Sequence, residues 1–112
     1  MNTSTTTNKR ALVTGASGGL GSAIAMRLAR DGAHVIVHAN QRIEAAEALT
    51  EKIRADGFSA EACAFDLTDR VATHAACDKL LLAGPVQILV NNAGTHDDAV
   101  FPAMRDEQWQ HV

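Results

Sequence analysis

Residues Thr14-Gly15-Ala16-Ser17-Gly18-Gly19-Leu20-Gly21 join the apolar run Ala11-Leu12-Val13 to a helical pattern through glycine. Glycine lets the chain turn sharply and keeps side chains out of the way of a pyrophosphate. It also lets the helix begin with its free N–H groups and positive dipole end aimed at an anion. The chemistry expected of such a stretch is the binding of a nucleotide phosphate. A tight strand-to-helix turn also uses glycine. Here the run follows the first strand and opens the first helix, the position that a dinucleotide fingerprint takes in a doubly wound sheet.

Other reactive residue types are scattered. Cys63 and Cys77 share no short spacing and have no partner in zinc-finger register, so they read as reduced packing residues. His34, His38, His74, His96 and His111 form no pair at helical ligand spacing, read as solvated or edge positions, and receive no role. No metal site is expected.

At 112 residues with 46% hydrophobic content, the chain is one domain or part of one. The formal net charge of −3 comes with no basic patch and no aromatics beside Lys or Arg, which excludes a nucleic-acid surface. No apolar run reaches membrane-spanning length, and Met1-Asn2-Thr3-Ser4-Thr5-Thr6-Thr7-Asn8 lacks the basic start and apolar centre of a secretion signal. A cytoplasmic protein with a disordered polar leader over residues 1–9 is expected, followed by a dinucleotide-binding domain over residues 10–112.

The elements that must position the glycine run alternate. Leu20, Ile24 and Leu28, with Ala23 and Ala25, trace a helix with one buried face, stopped by Asp31-Gly32. A strand follows from Ala33 to Val37, then a helical stripe of Ile43, Ala46, Leu49 and Ile53 that stops at Asp56-Gly57. Phe58 to Phe65 is an alanine-rich strand, after which Thr68 can cap a helix running towards Leu82. Gly84-Pro85 ends that helix, and the apolar strand Val86 to Val90 delivers Asn91-Asn92-Ala93-Gly94. Four strands and three crossover helices imply an α/β, Rossmann-type doubly wound parallel sheet in the order 3-2-1-4. Residues 95 to 105 read as a loop, and Asp106-Glu107-Gln108-Trp109 opens a helix that Val112 cuts short, so the chain reads as truncated.

Three segments in this order resemble the short-chain dehydrogenase/reductase family: Thr14-Gly15-x-x-x-Gly19-x-Gly21, Asp66-Leu67, and Asn91-Asn92-Ala93-Gly94. Within it, the wording of residues 11–17, 88–94 and 104–109 most resembles the 3-oxoacyl-(acyl-carrier-protein) reductases. The resemblance implies that Gly15, Ser17, Gly18, Gly19, Leu20 and Gly21 form the pyrophosphate loop, with Ser17 donating its hydroxyl. It implies that Asp66 accepts from the adenine amino group, that Leu67 abuts the ring, and that Asn92, Ala93 and Gly94 line the ribose side. Asn91 would pin neighbouring strands. Asp66 can alternatively be a helix cap or first-turn acid, and the asparagine pair simply a turn.

The cofactor expected is NADP, with NAD possible. Many NADP-dependent relatives carry Arg or Lys where this chain has Gly18, which argues the other way. Against that, no acid stands near Ala39 to bond a 2′-hydroxyl, while Asn40 offers a neutral donor and Arg42 a cation. Arg42 can equally be a solvated first-turn residue.

The resemblance further implies hydride transfer to a carbonyl, in a 3-oxoacyl thioester of fatty acid synthesis. A Ser and a Tyr-x-x-x-Lys pair would manage the proton, since an ammonium lowers the phenol pKa. This chain contains no tyrosine, so no residue in it is named catalytic, and the chain alone is expected to be inactive. The substrate would be a small or carrier-bound carbonyl compound, and the full-length protein a homotetramer. The alternatives are another short-chain alcohol, sugar or steroid dehydrogenase, or a non-catalytic nucleotide-binding module that senses redox state.

Overall fold

The computed structural model describes residues 7–92. In chain order they form β1 (Arg10–Thr14), α1 (Gly19–Arg30), β2 (His34–Ala39), α2 (Ile43–Ala55), β3 (Ala60–Ala64), α3 (Arg70–Leu81) and β4 (Ile88–Asn91). The four strands are parallel and lie in the order β3-β2-β1-β4. This is the doubly wound arrangement that the alternation of elements implies, with the C-terminal ends of β1 and β4 paired as Thr14 opposite Asn91.

Burial on both sides of the sheet explains why the central strands are nearly continuous apolar runs. Ala11 and Val13 of β1, with Val35 and Val37 of β2, join the core that α1 and α2 cover through Ala25, Leu28, Ala46 and Ile53. The alternate residues Leu12, Ile36 and Leu89 point the other way, into a core shared with Phe65, Leu67 and Cys77 of the α3 side. Leu12 and Ile36 are fully buried. Truncating either to alanine would cost about 2–5 kcal/mol by the usual sum of lost transfer energy and residual cavity.

Several local features differ from the sequence reading, each for a physical reason. The buried stripe of α1 is Gly21, Ala25, Leu28 and Ala29, whereas Leu20 is 70% exposed. Small residues let that helix lie close to the strands, and this turns the bulkier Leu20 outward. The N-cap of α3 is Asp69, whose carboxylate accepts from the Ala72 amide at 3.0 Å. Thr68 instead gives its hydroxyl to Asp66 Oδ1 at 2.7 Å. β2 runs two residues past Val37, because His38 and Ala39 continue the pairing with Cys63 and Ala64. β4 starts at Ile88, since the Gln87 side chain occupies the Arg10 amide at 2.9 Å where a longer strand would pair.

At the start of the described residues, the Asn8 amide bonds the Gly32 carbonyl at 3.1 Å and the Lys9 carbonyl accepts from His34 at 2.8 Å. Asn8 and Lys9 are therefore tied to the turn before β2 and to its first residue. The rest of the expected leader, the loop of residues 95–105 and the helix opening at Asp106 lie outside the described residues. Among the described residues, no helix is long and apolar enough to cross a membrane. Cys63 and Cys77 carry free thiols, pushed up by burial to about 12 and about 11 respectively.

Candidate functional site

The glycine run occupies the C-terminal edge of the sheet, where β1 hands over to α1. Gly15 has φ of 62°, the left-handed region that favours glycine. Its carbonyl takes the Gly18 amide at 3.4 Å and the Asn92 side-chain amide at 3.2 Å, so the loop is folded back on itself and fastened to the end of β4. Gly21 lies beneath the loop. A Cβ there would stand 2.5 Å from the Gly15 carbonyl, 2.6 Å from Asn92 Nδ2 and 2.8 Å from Ala16 Cα, so only glycine fits without displacing backbone.

Gly19 is different in kind. A Cβ at Gly19 would meet nothing within 4 Å, so the fold itself does not require glycine at that point. What the missing side chain leaves is clear space over the first turn of α1. That turn begins at N-cap Gly18 with no side-chain cap and no acid, and its first intrahelical bond runs from the Ser22 amide to the Gly18 carbonyl. The amides of Gly19, Leu20 and Gly21 therefore precede the ladder and have no helical acceptor. α2 carries Glu44 in its first turn and α3 is capped by Asp69, so the other two helices meet their positive ends with their own carboxylates. The start of α1 can accept an external anion.

Around this cradle the remaining candidates fall into two groups. At the end of β2, Ser17, Ala39, Asn40, Gln41, Arg42 and Ala45 line a cavity of about 380 Å³. Arg42 is exposed at the N-cap of α2. Across from it, Asp66 Oδ1 accepts from the Thr68 amide at 2.9 Å, the Thr68 hydroxyl at 2.7 Å and Asn40 Nδ2 at 3.4 Å. The two bonds from Thr68 lead in holding the Asp66 carboxyl below the usual carboxylate range. All three bonds end on Oδ1. Asn40 Oδ1 in turn accepts the Leu67 amide at 2.9 Å, so Asn40 braces the Asp66-Leu67 turn and commits one amide hydrogen to it.

The second group closes the end of the sheet between β1 and β4. Thr14 Oγ1 lies 3.2 Å from Asn91 Oδ1, 3.3 Å from the Val90 carbonyl, and accepts the Asn92 amide at 3.0 Å. Asn91 joins the two strands, and Asn92 joins β4 to the glycine loop. Ala93 and Gly94 lie outside the described residues. Two wider grooves, of about 510 and 610 Å³, flank β3 and touch none of the glycine loop. Among the described residues, no group of three His, Cys, Asp or Glu side chains can hold a metal ion.

One member of the site escaped the sequence reading. His38 is neither solvated nor at an edge: it is fully buried on β2. Its Nδ1 accepts the Gly15 amide at 3.0 Å, and its Nε2 meets the Phe65 carbonyl at 2.8 Å. Desolvation by burial leads in lowering its pKa below the ordinary 6.5, against a smaller opposing effect of the Phe65 bond. The signal in the strand was weak: His38 follows Ile36 by two residues, but His34 stands on that same face of β2, so alternation alone does not mark His38 as buried.

The family model for short chain dehydrogenases matches residues 9–112. The chain is 42% identical over 105 residues to a 3-oxoacyl-(acyl-carrier-protein) reductase of Aggregatibacter actinomycetemcomitans, covering 90% of this chain and 42% of that protein. Among solved structures, it is similar to a metagenomic short-chain oxidoreductase in complex with NADP. The TM-score is 0.77 and the identity 40%, over 82% of this chain and 42% of that one. A hydroxysteroid dehydrogenase from Escherichia coli matches with a TM-score of 0.74 and 37% identity, over 80% of this chain and 38% of that one. The chain thus spans about two fifths of the length of these relatives.

Proposed function

Because this chain belongs to the short-chain dehydrogenase family, we propose that it forms the cofactor-binding part of an NADP-dependent carbonyl reductase. The observation that carries this reading is the uncapped first turn of α1 under open space at Gly19. Gly21 beneath it is packed too tightly for any side chain. The residues present fit a dinucleotide: the amides of Gly19, Leu20 and Gly21 bind its pyrophosphate, with Ser17 donating a hydroxyl at the mouth. Asp66 accepts from the adenine amino group through the oxygen that its three bonds leave over, and Leu67 abuts the ring. Arg42 attracts a 2′-phosphate, and nothing at Ala39 repels one. Gly15, held by Asn92, and the asparagine-bearing end of β4 with Ala93 and Gly94 shape the ribose side.

When bound, the cofactor supplies a hydride to a carbonyl carbon. The chain's own part is to bind and orient. The groups that would manage the proton, a Ser and a Tyr-x-x-x-Lys pair, are assigned to no residue of this chain, which has no tyrosine. The substrate proposed is a 3-oxoacyl thioester, supported by the likeness to the reductase of Aggregatibacter actinomycetemcomitans. A carrier-bound acyl group and a homotetrameric assembly belong to the same reading. The likeness to a hydroxysteroid dehydrogenase favours, as a second reading, a hydroxysteroid or related secondary alcohol.

The test is a kinetic comparison on the full-length protein, with kcat/KM measured for a 3-oxoacyl thioester and for a 3-ketosteroid, each with NADPH and NADH. Preference for the thioester with NADPH is expected. Preference for the steroid favours the second reading, and a wild type that favours NADH overturns the cofactor assignment.

A further inference from the structure

His38 is fully buried on the face that carries Leu12, Ile36, Phe65, Leu67, Cys77 and Leu89, with Thr14 as another buried polar residue among the described ones. Its two ring nitrogens have partners of opposite kind. The Gly15 amide is a donor, so Nδ1 at 3.0 Å must be the acceptor. The Phe65 carbonyl is an acceptor, so Nε2 at 2.8 Å must carry the hydrogen. These partners select one neutral tautomer, since a second ring proton would set N–H against N–H at Gly15. The Phe65 ring packs on the imidazole at a centroid distance of 4.4 Å, and the His38 carbonyl takes the Ala16 amide at 2.9 Å.

Those bonds connect the two halves of the site. Gly15 begins the loop over α1, and Phe65 immediately precedes Asp66 and Leu67. Asn40, just past the end of the same strand, holds the Asp66-Leu67 turn directly. The ring bonded to both Gly15 and Phe65 links the end of β1 to the end of β3. We propose that His38 is a positioning residue for the dinucleotide, presetting the phosphate loop through the Gly15 amide and the adenine side through the Phe65 carbonyl. It acts through those two residues and not by contact with the reacting atoms. The proposal rests on the dinucleotide reading given above.

Two amide substitutions separate the bonds. Asparagine places an acceptor oxygen where Nδ1 stands, keeping the Gly15 bond and losing Phe65. Glutamine reaches with its terminal amide to the position of Nε2, keeping Phe65 and losing Gly15. Phenylalanine fills the volume and makes neither bond.

NADPH affinity is titrated by calorimetry at pH 8 on full-length wild type and on His38→Asn, His38→Gln and His38→Phe, with thermal midpoints and kcat recorded beside it. His38→Asn is expected to bind about threefold more weakly than wild type, a smaller loss because Asn40 also braces the Asp66-Leu67 turn. His38→Gln is expected to bind about tenfold more weakly, in line with the loss of one hydrogen bond to a preset loop. His38→Phe should be weaker still, with kcat at saturating NADPH little changed in all folded variants. If His38→Phe does not fold, the comparison of asparagine with glutamine stands without it. A purely structural histidine would lower the thermal midpoints and leave the affinities equal, and that outcome overturns the proposal. A wild type that binds neither NADPH nor NADH overturns the dinucleotide reading itself, and the proposal with it. NADPH binding by wild type that is matched by both the Asn and the Gln variants removes only the role of His38.

Discussion

Gly21 and Gly19 differ in what a side chain there would meet. At Gly21 a methyl group would collide with Gly15, Asn92 and Ala16, all of which are part of the loop or its fastening. Gly21→Ala is therefore expected to destabilise the protein by about 1–3 kcal/mol, the usual cost of overpacking, read as a shift in the denaturant midpoint. An unchanged midpoint would mean that the loop yields freely. At His38 the consequence is a pH dependence. Its pKa is lowered on folding from the ordinary 6.5, so the unfolded chain binds more protons between the native pKa and 6.5. Its contribution is complete above 6.5 and is lost as pH falls towards the native pKa, at most about 1.4 kcal/mol per pH unit. Around it stand Cys63, paired opposite on β3, Cys77 from α3, both neutral, and Asp66 beside its Phe65 anchor. Denaturation midpoints at pH 8, 6.5 and 5 should fall for wild type more steeply than for His38→Asn, and parallel curves would deny His38 this part. Sequence showed the glycines but not which of them the fold requires, because that depends on Asn92, which is 71 residues from Gly21 and meets it only through the sheet. His38 was hidden for the same reason: its partners Gly15 and Phe65 are 23 and 27 residues away.

Strand ends, more than strands, carry the chemistry. Every strand of the sheet was legible as an element, since apolar runs bounded by Gly, Asp and Pro punctuate the chain clearly. Boundaries were less so, because β2 is prolonged by pairing with β3 and β4 is shortened by the Gln87 side chain. The facing of α1 was legible through Ile24, Ala25 and Leu28, but its first turn was misread, since Gly21 and not Leu20 is buried there. The prolonged end of β2 brings Ala39 to the cavity that Ser17, Asn40 and Arg42 also line. Ala39 is 2% exposed, so a carboxylate there would face that cavity at some cost in stability. Ala39→Asp is expected to reverse a preference for NADPH, adding repulsion to a 2′-phosphate and an acceptor for a 2′-hydroxyl. Charges about 4 Å apart interact by roughly 1–4 kcal/mol at intermediate dielectric, enough for about a tenfold change in the NADPH-to-NADH ratio of kcat/KM. A ratio unmoved by Ala39→Asp, in a variant whose thermal midpoint shows it folded, would place the 2′-phosphate elsewhere.

As a whole, the described sheet has β3 at one edge and β4 at the other, with both faces already apolar. Made alone, the chain of residues 1–112 is expected to expose the edge of β4, which is the outer strand among the described residues, as a template for pairing with another copy. Light scattering should find it associated, and an NADPH-oxidation assay with a 3-oxoacyl thioester should find it inert, since it lacks tyrosine. A monodisperse monomer would count against the exposed edge, and turnover would show that the proton donor has been misplaced. The central claim, however, is that the open space at Gly19 exists for a dinucleotide phosphate. Its most direct test is calorimetric titration of NADPH into the full-length protein and its Gly19→Val variant, each checked for an unchanged thermal midpoint. Since a Cβ at Gly19 meets nothing within 4 Å, the variant is expected to fold. Wild type should bind and Gly19→Val should show no measurable heat, whereas equal affinity in the two proteins would contradict the account.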